Sequence, residues 1–242
     1  MLPSLHAPSL AQHVNTLDWP SLEQDLDQDG SAIIRNLLTA EQCRMLSGLY
    51  AEPNLFRSKV IMARHGYGRG EYQYFRYPLP DLVQQLRQSL YPRLVPLANR
   101  WNECMGLEVR YPYEHPAFIE RCHTAGQRRP TPLLLQYGPQ DYNCLHQDLY
   151  GEHVFPLQVA ILLSEPGQDF TGGEFVLTEQ RPRMQSRAQV IDLKQGDALL
   201  FAVHQRPVKG VRGYYRVNMR HGVSRVHSGS RHTLGIIFHD AQ

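Results

Sequence analysis

The sequence predicts an α+β protein, mainly β: a double-stranded β-helix (jelly roll) core with N-terminal helices packed on it. After about Pro130, short apolar runs alternate with Gly- and Pro-containing turns: "TPLLLQYG", "LQVAILLSEPG", "GGEFVLTEQ", "AQVIDLKQGDALLFAV", "GYYRVNMRHGVSRV" and "HTLGIIFH". Short strands at this spacing argue for a sandwich or barrel. The residues before that point read helical and mixed. The length, 242 residues with 42% hydrophobic, suits one large domain with a sizeable core. The expected division is a helical and lid region over 1–129 and the jelly-roll core over 130–242, with no internal repeat and no low-complexity linker.

In chain order, "DWPSLEQDLDQDGSAIIRNLLTAEQCRMLSGLYAEP" reads as helix, turn, a short buried strand at Ala32–Ile34, then a second helix. Thr39 is its N-cap, and Gln42 three residues on completes a capping box. "DLVQQLRQSLYPRLVPLANRWNECMG" sets Leu82, Leu86, Leu90 and Leu94 on one helical face, with Pro92 and Pro96 complicating it. The run Asp25–Gly30, "DLDQDG", opens like a calcium-binding loop. The position that needs a bidentate Glu is Asn36, so a polar Asp-Gly turn is the better reading.

Net charge is only +2, but its distribution is uneven. Met1 to Phe56 holds seven acids against two bases, and Ala198 to His239 holds seven bases and no acid. That asymmetry suits an anionic partner for the basic part; solvated basic loops balancing an acidic helical face are the alternative. Four cysteines without CxxC spacing fit free thiols in a reducing compartment. "MLPSLHAPSLAQHV" has no basic n-region and no apolar h-region, and no run approaches about 18 apolar residues. A cytoplasmic protein without a membrane segment is expected.

The chemistry starts at "CLHQDLYG". In an extended segment His146 and Asp148 project to the same face, so both can point at one ion. His-x-Asp is a weak signal alone in a chain with 12 His. It gains weight from a third ligand on a distant strand, because two His and one carboxylate form the facial triad of non-haem Fe(II) oxygenases. Four histidines fall in "RHGVSRVHSGSRHTLGIIFHDA". His221 ends the strand-like run "YYRVNM" and is the preferred ligand. His227 adjoins a turn and His239 lies at a fraying end. His204 is an outside candidate. A keto-acid at the metal needs a bidentate cation for its far carboxylate. If "RHTLGIIF" is a strand, Arg231 and Thr233 share one face and His232 points away.

Taken together, "Y-x8-H-x-D", "GGEF", "GDALLF" and "HGVSRV-x4-R-x-T" resemble the 2-oxoglutarate/Fe(II)-dependent oxygenase superfamily over about residues 130–240, with "IRNLLTAEQCRML" fitting more loosely. The resemblance implies Fe(II), 2-oxoglutarate and O2 as cofactors. It implies His146, Asp148 and His221 as iron ligands, Arg231 as partner of the 2-oxoglutarate carboxylate, and Tyr137 beside the co-substrate as in AlkB-type dealkylases. The chain looks closest to a bacterial group of these oxygenases predicted to act on damaged, alkylated DNA. Two departures stand out. The ten-residue spacing from His221 to Arg231 is like that of prolyl hydroxylases, and Leu135 stands where AlkB-type enzymes carry Asn.

The stretch Arg57 to Pro78 has five bases, one acid and five aromatics besides His. Aromatics interleaved with Arg can stack bases and hold phosphates. Gly66, Gly68 and Gly70 suit a mobile lid receiving a flipped base. Arg64, Tyr67, Tyr72 and Tyr74 are therefore the candidate substrate residues; tyrosines covering the outer face of the jelly roll are the bland alternative. A nucleic-acid substrate predicts a rim holding Arg64, Tyr72 and the bases from Arg206 to Arg220, whereas a narrow apolar pocket predicts a small molecule. The rival functions are a prolyl, amino-acid or small-molecule hydroxylase, and a non-catalytic cupin-like metal-binding module.

Overall fold

The computed structural model describes residues 9–149 and 151–242; the first eight residues of the stretch read for a leader lie outside them. The helices are α1 (Leu10–Thr16), α2 (Trp19–Asp29), α3 (Ala40–Gly48), α4 (Asp81–Cys104) and α5 (His115–Thr124). Asp18 caps α2, and Gly30, with φ +75°, closes it. The "DLDQDG" run is thus the last turns of a helix and its left-handed cap. Thr39 and Gln42 form the expected capping box of α3. α4 runs straight through Pro92 and Pro96. An internal proline costs about 3 kcal/mol, but Leu86, Leu90, Leu94, Leu97 and Trp101 are all buried on this helix. At roughly 1.5–3 kcal/mol per large apolar side chain, their packing outweighs the two prolines.

Before residue 130 the strands are β1 (Ser31–Ile34), β2 (Phe56–Ile61), β3 (Gly68–Arg69) and β4 (Glu71–Phe75). The later ones are β5 (Leu133–Tyr137), β6 (Tyr142–His146), β7 (Leu157–Leu162), β8 (Phe170–Gly172), β9 (Phe175–Gln180) and β10 (Arg187–Ile191). They continue with β11 (Ala198–Ala202), β12 (Gln205–Gly210), β13 (Gly213–Val223), β14 (Val226–Gly229) and β15 (Arg231–Ile236). A seven-stranded major sheet runs β1-β11-β7-β15-β5-β4-β2, and the minor sheet runs β10-β9-β13-β6-β3 with β12 beside β13. β14 and β8 form a small separate pair.

Strand parity divides the core into two layers. On β7, Val159 and Ile161 face outward and pack with the helices in one cluster. Ala160 and Leu162 face inward and meet Phe175 and Leu177 of β9 and Val223 of β13 in another. The result is helices, major sheet, minor sheet: a jelly roll with helices on one face, as the strand spacing predicts.

Two expectations change. The stretch from Arg57 to Pro78 is not a mobile lid over its length, because β2 and β4 extend the major sheet. Tyr72 pairs with Leu135 and Tyr74 with Leu133. Gly70 is explained by packing: a Cβ there would sit 2.8 Å from the Tyr137 ring. The basic run also does not form one surface. Arg206 is fully buried, donates to the carbonyls of Asp27 and Gln28 at the end of α2, and pairs with Glu179. Part of the N-terminal acidic excess is met locally, since Asp29 faces Arg187 and Asp27 faces Arg100. No described helix is long and apolar enough to cross a membrane.

Candidate active site

β6 and β13 lie side by side, and their register sets His146 directly opposite His221. Asp148 follows His146 by two residues and returns to the same side. Its Oδ1 is 3.4 Å from His146 Nε2 and its Oδ2 is 3.3 Å from His221 Nε2. One ligand atom from each residue falls within 4.8 Å of the others. His146 Nδ1 is 2.8 Å from the Cys144 carbonyl, which makes Nδ1 a donor and turns Nε2 inward toward Asp148. The His221 ring lies against Phe201, with centroids 4.7 Å apart, and stacks on Phe175.

The electrostatics suit a cation. Burial pushes the Asp148 carboxyl up, but hydrogen bonds from His146 and His221 outweigh it and hold the group well below the usual carboxylate range. Burial opposes charge on His146, and Asp148 more than compensates, so that imidazole titrates high. For His221 burial wins and the imidazole titrates low. An ionised carboxylate beside an imidazole held neutral is a donor set that a divalent cation can use.

The second half of the site is on the major sheet. Arg231 opens β15 opposite Tyr137 of β5. It is buried, and its Nη1 donates to Thr233 Oγ1 at 2.6 Å. The guanidinium carbon lies 5.6 Å from the Tyr137 ring centroid and 5.7 Å from that of Phe170. Gly173, of the "GGEF" run, makes room for it, because a Cβ there would lie 3.0 Å from Arg231 Cδ. No described carboxylate forms an ion pair with Arg231, and its Nε has no described hydrogen-bond partner. Burial brings its pKa down to about 10, so it stays protonated at neutral pH. A buried cation without a direct ion-pair partner is costly, and this one fits a ligand carboxylate. Burial likewise pushes the Tyr137 phenol up to about 12, leaving it a neutral donor.

One cavity of about 240 Å³ joins the two halves, lined by His146, Asp148, His221, Arg231, Thr233 and Tyr137. Of the candidate substrate residues, Tyr67, Tyr72 and Tyr74 also line it. Tyr67 is exposed and stacked on His65, with centroids 5.3 Å apart. Arg64 does not line the cavity; it is exposed at the end of the short turn Met62–Arg64, whose first residue is buried. The expected rim therefore keeps Tyr72 and loses Arg64 and Arg206. His232 faces away, its ring 6.0 Å from that of Tyr50, and buried His239 accepts from the Phe155 N–H. Two lining or flanking residues are hard to read from sequence. Gln158 is a lone polar residue in an apolar run, a signal that inward strand parity could have flagged. Arg57 lies over the Tyr74 ring, 4.5 Å from its centroid, and no sequence signal marks that contact.

Comparison with known proteins agrees with this geometry. Residues 70–241 match an oxygenase family described as catalysing oxidative methylation of damaged DNA. An uncharacterized protein of Mycobacterium tuberculosis is 50% identical over 167 residues, which is 69% of this chain and 72% of the relative. An oxidoreductase of the 2OG-Fe(II) oxygenase family from Burkholderia pseudomallei shares the fold, with TM-score 0.55, 16% identity and 94% of each chain covered. So does a prolyl-4-hydroxylase from Pseudomonas putida, with TM-score 0.52, 14% identity, 93% of this chain and 99% of that one. The chain belongs to the oxygenase family described for oxidative methylation of damaged DNA, and it is an Fe(II)- and 2-oxoglutarate-dependent dioxygenase that uses O2.

Proposed function

We propose that the protein oxidatively demethylates alkylated nucleobases in DNA. In this reading His146, Asp148 and His221 hold Fe(II), and Arg231 with Thr233 holds the far carboxylate of 2-oxoglutarate. Tyr137 donates its hydroxyl beside the co-substrate. Fe(II) with 2-oxoglutarate and O2 supplies the oxidation of a substrate C–H to C–OH, with succinate and CO2 as by-products. When that carbon is an N-methyl group, the C–N bond of the N–CH2OH product breaks. The nitrogen takes the hydroxyl proton, and the carbon leaves as formaldehyde. The residues' part is to orient the base and keep water out.

The observation that carries the reading is the wall of Tyr67, Tyr72 and Tyr74 on the same cavity as the triad and Arg231. Flat aromatic walls suit an extruded base, and Arg57 over Tyr74 adds a cation beside that wall. The family description points to the same substrate class. A cytoplasmic setting accords with four free cysteines.

The second reading is a prolyl or other amino-acid hydroxylase, favoured by the ten-residue step from His221 to Arg231. Succinate release separates the two. The proposal expects stimulation by oligonucleotides carrying an N-methylated base and none by proline-containing peptides. Stimulation by the peptide alone would overturn it.

A further inference from the structure

The active cavity contains a polar group that neither the triad nor the Arg231 subsite uses. Gln158 lies on β7, is 4% exposed and lines the cavity. Its side-chain Nε2 is buried and has no hydrogen-bond partner among the described residues. Its inward neighbours cannot supply one. Gln158 pairs with Phe201, and Ala160 is the next residue on the same face. Buried polar groups are nearly always satisfied, so an orphan that faces a cavity calls for an explanation. An amide N–H with its back to an apolar wall is placed to meet an acceptor on whatever fills that cavity.

Position decides which ligand. Thr233, which shares the Arg231 subsite, pairs with Leu162 of β7. Gln158 lies four residues before Leu162, about 13 Å along the strand. A five-carbon diacid spans roughly 5 Å between its end carbons at about 1.5 Å per bond. The carboxylate gripped at Arg231 and Thr233 is therefore at the far end of the cavity from Gln158. At its own end of the cavity, Gln158 stands opposite Phe201, whose ring packs on His221. Gln158 thus stands at the metal end of the cavity, where the substrate carbon must come to be oxidised. The 2-oxoglutarate affinity of a Gln158 variant separates a substrate contact from a co-substrate one.

We infer that Gln158 is a specificity-determining residue whose carboxamide reads the edge of the substrate base. This rests on the nucleobase reading above. A carboxamide presents a donor and an acceptor in one plane, and a base edge carries the complementary ring nitrogens and exocyclic groups. The tyrosines hold a base by its faces, which every base offers, so they select poorly among bases. A buried hydrogen-bonding group selects strongly, because the wrong base leaves it unpaired.

The test uses Gln158→Met, which keeps length and bulk and removes the amide. The probes are oligonucleotides each carrying one N-methylated base, one for each of the four bases, with Fe(II) and 2-oxoglutarate present. Four quantities are read: kcat/KM for each oligonucleotide, 2-oxoglutarate affinity, oligonucleotide-independent 2-oxoglutarate consumption, and Tm. We expect the preferred base to lose at least tenfold in kcat/KM while the others change little, so that selectivity flattens. Affinity for 2-oxoglutarate should stay within twofold, and basal consumption serves to show that the metal and co-substrate sites still assemble. Tm should hold or rise, since an unpartnered amide is replaced by an apolar group. Unchanged selectivity overturns the inference while leaving the nucleobase reading standing. A tenfold loss of 2-oxoglutarate affinity also overturns it, by assigning Gln158 to the co-substrate. A fall in Tm with equal losses on all four bases makes the residue structural and overturns it too. A wild type stimulated by no oligonucleotide overturns the nucleobase reading, and the inference falls with it.

Discussion

Arg231 Nη1 donates to Thr233 Oγ1 over 2.6 Å along one face of β15, and no described carboxylate closes on that guanidinium. The hydroxyl fixes the orientation of the fork and leaves it without a described ion-pair partner. In the proposed role this cation awaits the 2-oxoglutarate carboxylate. Arg231→Met should weaken 2-oxoglutarate by at least about 1.5–3 kcal/mol, the usual worth of a charge-assisted hydrogen bond. Arg231→Lys should recover only part of that, because a point charge cannot grip a carboxylate bidentately. Titration calorimetry of 2-oxoglutarate with the metal-loaded protein gives both numbers. Neither variant should lower Tm much, since no buried acid loses its partner. Wild-type affinity in Arg231→Met would refute the assignment.

His221 and His232 lie on neighbouring stretches of chain with opposite environments. His221 is buried with its Nε2 on Asp148; His232 is turned toward Tyr50. His221→Ala should abolish Fe(II)-dependent succinate formation and reduce metal retention after gel filtration. His232→Ala should retain both. The reverse outcome would mean that β15 presents the other face to the cavity.

Most of this site could be read from sequence because its residues obey strand periodicity. His146 and Asp148 are two apart, as are Arg231 and Thr233, and alternation aims each pair at one side. What the sequence hid depends on pairings between distant segments. Arg206 reads as one more exposed base, because its partner Glu179 and the end of α2 are remote in the chain. β2 and β4 read as a lid because the glycines between them look like hinges; Gly70 is there to let the backbone approach Tyr137. Gln158 hid inside an apolar strand, where polarity matters only once inward and outward faces are known.

Arg206 should matter for stability rather than for substrate. It joins Glu179 of β9 to the last carbonyls of α2, with no exposure to solvent. Removing one partner of a buried ion pair costs about 3–5 kcal/mol, so Arg206→Met should lower unfolding free energy by about that much in urea. Arg212→Ala, at an exposed position of the same basic run, should change it by less than about 0.5 kcal/mol. Equal effects of the two would contradict the burial of Arg206.

Acid should destabilise the fold through two histidines held neutral. Burial, aided by Arg87, brings the pKa of His115 to about 3 and that of His239 to about 4. His115 Nε2 is 2.8 Å from the Phe238 carbonyl, and His239 Nδ1 accepts from the Phe155 N–H at 3.2 Å. In the unfolded chain both titrate near the ordinary histidine value of about 6.5. Above that pH neither state binds the protons, and the two groups leave stability unchanged. As pH falls below it, the unfolded chain takes up two protons that the folded one refuses. Stability then drops by up to about 1.4 kcal/mol per unit for each histidine. The slope should flatten only near the folded values. Asp240, held below its ordinary value mainly by Arg87 against the effect of burial, adds a further loss once pH falls through the carboxylate range. Urea midpoints at pH 8, 7, 6 and 5 should be level from 8 to 7 and fall from 6 to 5. His115→Gln should make that fall shallower by up to about 1.4 kcal/mol per pH unit, because it removes one refused proton. A fall of the same size in His115→Gln as in the wild type would show that His115 is not held neutral in the folded protein.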